Sequence, residues 1–222
     1  MRKKIKNSMI DVIIVFFSIF FKYISIWFED FSEKYIIIVV PIIISIVILL
    51  KNKYYKIQFK KMIFMFIISI YVTIITKEID FILSFMLALI FLKKEYGDIK
   101  FIKCFTVSSI FCYISTIVMN YCGIIDSADS IRYVDGVITQ RRSLGFSHVN
   151  EVFKLLMPII FGIVLLLENN KDTKKRKIIW GIIFFIVTIL YIFSNCRTGY
   201  LIFLLMPIIY KTKIYENKNF SK

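Results

Sequence analysis

Long apolar runs separated by short polar connections recur along the whole chain, and every second connection is rich in lysine and arginine. The runs are Met9–Phe28, Tyr35–Leu50, Met62–Thr76, Ile79–Leu92, Phe101–Cys122, Val152–Leu167, Ile178–Phe193 and Gly199–Tyr210. Of 222 residues, 59% are hydrophobic and 17% aromatic. A water-soluble domain of this size keeps roughly a quarter to a third of its chain surface wet, which is too much to hide that apolar fraction. Repeated runs of this length are what lipid selects, because a helix satisfies all its own backbone groups there. The expectation is an all-α integral membrane protein of about eight transmembrane helices, forming a single multi-pass domain over residues 1–222. Several runs fall short of the roughly 20 residues of a perpendicular span, and flanking Lys and Tyr can make up the difference by snorkelling.

Charge placement sets the orientation. The net charge of +15 is distributed in short blocks between apolar runs rather than on one soluble face, so nucleic acid is excluded as a partner. The segments 1–8, 51–61, 93–103, 168–177 and 211–222 hold 4, 5, 4, 5 and 4 of the 30 Lys and Arg. The positive-inside rule then puts both termini in the cytoplasm. The first run follows four basic residues, as a signal peptide does, but it ends in Trp27-Phe28-Glu29-Asp30 without a small-residue cleavage site. It reads as a retained first helix.

On this topology the outer connections at 29–34 and 77–78 are short. The external loop at about 123–151 is long, polar and rich in functional side chains. It holds Asp126, Asp129, Arg132, Asp135, Arg141, Arg142, His148, Asn150 and Glu151. Its interval Ile131–Ile138 is apolar enough to lie on the membrane surface. The join Ser194-Asn195-Cys196-Arg197-Thr198-Gly199 leaves almost no loop. Arg197 precedes a run of 12 residues that spans only about 18 Å of a core roughly 30 Å thick. It therefore falls at or just below the outer interface, where it either snorkels to headgroups or binds a partner. With Arg141 and Arg142 it makes a set of guanidinium groups suited to a phosphate or diphosphate.

Other residues have weaker claims. His148 is placed either as a general base or as a structural residue at the start of the sixth helix, with Asn150 as the cap. Asp126, Asp129 and Asp135 are isolated loop carboxylates, and no metal or cofactor is expected. Cys104 and Cys112 lie within one apolar run as buried thiols. Cys122 and Cys196 share the outer face, which makes a disulfide geometrically conceivable. A transporter would carry ionisable groups at mid-membrane, and apart from Asp11 and Lys22, which fall near helix ends, few exist.

The stretch Arg141-Arg142-Ser143-Leu144-Gly145-Phe146-Ser147-His148-Val149-Asn150 resembles the R-x-S-L-G-F-x-x-P-N block of the bacterial O-antigen polymerase and O-antigen ligase superfamily, in particular polysaccharide repeat-unit polymerases of Gram-positive type. Cys196-Arg197-Thr198-Gly199 is similar to the S-R-T turn of that family, reached in the same order after a helix, a basic cytoplasmic loop and a second helix. Val149 replaces the family's proline, and Cys196 its serine. The resemblance implies a partial GT-C-like bundle in the bacterial plasma membrane. It implies glycan transfer from undecaprenyl diphosphate to an acceptor sugar without a metal, in capsule or exopolysaccharide assembly. Arg141 and Arg197 would be the catalytic contacts to the diphosphate; Arg142, Gly145, His148 and Asn150 would line the substrate site. Partners implied are the undecaprenyl-diphosphate-linked oligosaccharide, membrane lipid and other polysaccharide-assembly membrane proteins. The family continues past the S-R turn into a histidine-bearing external loop and further helices, so the chain is expected to be C-terminally truncated. A non-catalytic lipid-glycan binding or assembly protein is the alternative.

Overall fold

The computed structural model describes residues 2–27, 34–51, 56–76, 80–91, 98–134, 137–168 and 173–212. Each apolar run forms a helix: α1 (Arg2–Trp27), α2 (Lys34–Lys51), α3 (Lys56–Thr76), α4 (Asp80–Phe91), α5 (Asp98–Tyr121), α6 (Val149–Glu168), α7 (Thr173–Ser194) and α8 (Arg197–Thr212). Three of them are long and apolar enough to cross a membrane, at Ile99–Tyr121, Val149–Leu167 and Lys174–Ser194. The other five contain shorter apolar stretches.

The surface has the polarity of a membrane protein. Phe64, Ile67, Tyr71, Ile74, Phe111, Phe185 and Ile192 are all exposed, forming apolar surface far beyond what water-soluble monomers show. Several hydroxyls inside the helices are satisfied locally. Ser18, Thr106, Thr116 and Thr188 each donate to the carbonyl four residues back, which hides a polar group without a partner helix. Pro41 and Pro158 lie inside α2 and α6, as lipid-embedded helices tolerate.

Helix α1 packs on α5 and α4, α5 on α6, and α6 on both α7 and α8; α4 also packs on α2 and α3. Two glycines permit the closest crossings. A Cβ on Gly162 would meet the Thr106 hydroxyl at 2.0 Å, and one on Gly199 would meet Phe153 Cβ and Cγ at 2.4 Å. Helices α5, α6 and α8 thus approach more nearly than any side chain at those positions would allow.

The expectation of an all-α chain with one long external loop is corrected between α5 and α6. Strands β1 (Ser130–Val134) and β2 (Val137–Arg141) pair antiparallel, with Ile131 opposite Gln140 and Tyr133 opposite Ile138. The physical reason lies in the sequence Ile-Arg-Tyr-Val-Asp-Gly-Val-Ile-Thr. Its β-branched and aromatic residues suit strands, and Asp-Gly between them is a strong hairpin signal. The remaining loop is shorter too, because α6 already starts at Val149.

Candidate functional site

The elements carrying the two arginine segments end close together, and local backbone chemistry explains each end. Helix α5 closes in a Schellman turn: Ile124 N donates to Met119 O and Gly123 N to Asn120 O, with Gly123 at φ 70°. The left-handed position at Gly123 is one a β-carbon would strain. Helix α7 closes on Asn195, at φ 48°, whose N–H donates to Tyr191 O at 2.7 Å. Asparagine tolerates that conformation. Only Asn195 and Cys196 separate α7 from α8.

The segment after β2 is held on three sides. Asp129 accepts from Ser143 N at 2.9 Å and also from the Ser127 hydroxyl, which lies 3.1 Å from the Ser143 hydroxyl. These bonds close the base of the hairpin. Ser143–Phe146 then forms a tight turn, with Phe146 N donating to Ser143 O and positive φ at both Leu144 (56°) and Gly145 (87°). Gly145 is buried against Thr116 O and Asn120, where an added Cβ would stand 2.7 Å from Asn120 Cβ. Phe146 is buried between the rings of Tyr23 on α1 and Tyr113 on α5. Tyr113 in turn donates through its hydroxyl to Val152 O at 2.9 Å.

Helix α6 begins immediately after. His148 Nδ1 accepts from Asn150 N at 3.1 Å, and His148 O accepts from Glu151 N. His148 therefore caps α6 from the position before its first helical residue. The assignment of the cap to Asn150 is corrected: Asn150 is the second helical residue, and its side chain points elsewhere.

That side chain connects the two arginine segments. Asn150 Oδ1 accepts from Arg141 Nη2 at 3.3 Å and from Cys196 Sγ at 3.5 Å. Arg142 supplies a second link, its backbone N–H donating to Phe193 O at 3.1 Å and its guanidinium lying 6.0 Å from the Phe193 ring centre. Arg141 is half-buried, and its Nε is buried without a hydrogen-bond partner; the Ser194 hydroxyl is likewise buried and unpartnered. Arg197 is exposed at the first residue of α8. A cation there works against the helix dipole, whose N-terminal end carries about half a positive charge. Three arginines and a helix N-terminus thus gather at one end of the bundle, an arrangement that favours an anion.

Glu151 adds little compensation, since its carboxylate is engaged with Lys154 at 3.2 Å and with Ser147. Among the described residues no group of His, Cys, Asp and Glu has the geometry of a metal site. Asp129 is occupied in the hairpin base, and Asp135 lies outside the described residues. The conceivable Cys122–Cys196 disulfide is absent. Cys196 is buried and hydrogen-bonded to Asn150, while Cys122 is exposed on the turn after α5.

Ser143, Phe193 and Ser194 belong to this site without having been given a role from sequence. Asp129, read from sequence as an isolated loop carboxylate, instead closes the hairpin base. Comparison with family models, curated proteins and solved structures finds no match.

Proposed function

We propose that this chain is a bacterial plasma-membrane glycosyltransferase of the polysaccharide polymerase or ligase type. In this reading all eight helices span a GT-C-like bundle, both termini are cytoplasmic, and the arginine site lies at the outer face. The substrate is an oligosaccharide repeat unit on undecaprenyl diphosphate, and the acceptor is a sugar hydroxyl of the growing glycan. The acceptor hydroxyl attacks the anomeric carbon and gives up its proton to water or to an oxygen of the departing diphosphate, while the bond from that carbon to the diphosphate oxygen breaks and its electron pair leaves on the diphosphate. Arg141 and Arg197 stabilise that developing charge, as preorganised donors do in a partly dry site. Arg142 and Asn150 position the donor.

The observation that carries the reading is the Asn150 bridge, together with the buried, unpartnered Nε of Arg141. An arginine held by a neutral amide keeps its full charge for a ligand. A carboxylate partner would cancel it.

The test is complementation of a deletion strain of the source bacterium, reading polymer length. Arg141→Ala and Arg197→Ala should each abolish polymer; normal polymer with both changed would falsify the assignment. A second reading, lipid-glycan binding without turnover, is favoured by one fact. The attacking hydroxyl must lose a proton, yet the nearby histidine, His148, has Nδ1 engaged as a helix cap. Purified protein that binds undecaprenyl diphosphate while the strain makes no polymer would select it.

A further inference from the structure

The β1–β2 hairpin has its polarity reversed relative to a hairpin in water. Because paired residues share a face and successive residues alternate, Ile131, Tyr133, Ile138 and Gln140 form one face, and Ser130, Thr139 and Arg141 belong to the other. The first face is the one turned away from the protein: Ile131 is 64% exposed, Tyr133 73% and Ile138 63%. Ser130, Thr139 and Arg141 are half-buried. An isolated two-stranded hairpin is marginal in water, and its stability depends on something covering its apolar face.

We infer that this face is an interfacial anchor that rests on the lipid bilayer, at the boundary between headgroups and acyl chains. Three observations choose lipid as the occupant. First, the hairpin's surroundings are surfaces that lipid covers: it leaves α5 past exposed Tyr121 and Ile124 and returns to α7 beside exposed Ile192 and Phe193. Both of these helices are long and apolar enough to span a membrane. Second, Tyr133 is the residue type that prefers this depth, its ring in the apolar layer and its hydroxyl at the headgroups. Third, Arg142 is exposed at the hairpin base over the Phe193 ring, a long cationic side chain beside apolar surface of the kind that reaches from the acyl layer to headgroup phosphates. The inference does not depend on glycosyl transfer. It does have a consequence for the site, because Arg141 ends the strand that carries Ile138, so immersion of one sets the depth of the other.

The test uses the whole chain in lipid vesicles. Trp27→Phe and Trp180→Phe remove the native tryptophans, and Tyr133→Trp or Ile138→Trp places a reporter on the outward face, with Thr139→Trp as the opposite-face control. The outward reporters should emit at blue-shifted wavelengths. They should be quenched several-fold more by lipids brominated near the top of the acyl chain than by lipids brominated near its end, and resist iodide in the buffer. Emission at the wavelength of tryptophan in water, quenched by iodide and indifferent to bromolipid, overturns the inference. Resistance to both quenchers, with disulfide-linked dimers of Tyr133→Cys, assigns the face to a second copy and overturns it equally. Two independent reporter positions keep the test decisive where one variant fails to fold.

Discussion

The Asn150 carboxamide accepts a hydrogen bond from the Arg141 guanidinium at 3.3 Å, across the gap between the start of α6 and the end of β2. The same oxygen accepts from Cys196 at 3.5 Å, so one side chain ties together the hairpin, α6 and the α7–α8 join. Hydrogen bonds to charged groups contribute about 1.5–3 kcal/mol, and at this length the lower end applies. On the proposed function, Asn150→Ala should therefore weaken binding of undecaprenyl diphosphate about tenfold. Asn150→Asp restores the bond but neutralises Arg141, and should weaken binding at least as much while leaving thermal stability intact. Titration of each purified variant checks this. Wild-type affinity in both would remove Asn150 from the site.

Gly199 lies where no side chain fits. An added Cβ would stand 2.4 Å from Phe153 Cβ and Cγ, and overpacking of this kind costs about 1–3 kcal/mol. Gly199→Ala should lower the thermal midpoint in detergent. Combined with Phe153→Gly it should lose less than the sum of the two single changes, because both clashing atoms, Phe153 Cβ and Cγ, are gone. Additive losses would place the strain elsewhere.

Gly145 combines two constraints, a φ of 87° and a contact with Asn120 that would shorten to 2.7 Å. Gly145→Ala should destabilise the fold by about 2 kcal/mol or more, and most of the loss should persist in Asn120→Gly, which removes the crowding Cβ, because the backbone strain remains. Full recovery in that double variant would show that crowding alone decides.

The exposed Cys122 and the buried Cys196 differ in access to reagents. A membrane-impermeant maleimide applied to intact cells should label the protein, and Cys122→Ser should abolish the labelling. Labelling that requires broken cells would put this end of the bundle in the cytoplasm and reverse the orientation proposed from charge.

Lys22 on α1 and Asp80 at the start of α4 form an ion pair at 2.9 Å, each side chain about a third exposed. Partial exposure limits its value to about 1 kcal/mol. Lys22→Met and Asp80→Asn should each lower stability by about that amount, and the pair together by less than twice as much. A double-mutant cycle on thermal midpoints decides it.

The helices were legible because their cause is local. Runs such as Phe101–Cys122 and Ile178–Phe193 hold too many apolar residues for water, and a helix is the form that closes its own backbone bonds in lipid. The end signals were also present in Gly123 and Asn195. The hairpin was legible in principle from Asp135-Gly136 between β-branched residues, but a polar loop between helices was the broader pattern and masked it. The cap of α6 moved from Asn150 to His148 for a different reason. Either can cap a helix, and the choice depends on which residue starts α6 and what the other side chain can reach.

Residue order alone determined that this chain belongs in a membrane, where its helices run, and which arginines stand near helix ends, because hydropathy and charge act on each segment independently of its neighbours. Tertiary structure decided that Arg141 and the residue before Arg197 meet on one carboxamide, that Phe146 is a buried anchor, and that the hairpin turns its apolar face outward. Those outcomes depend on the distance between segments far apart in the chain. Such distances follow from how closely helices can pack, here as closely as Gly199 against Phe153 and Gly162 against Thr106.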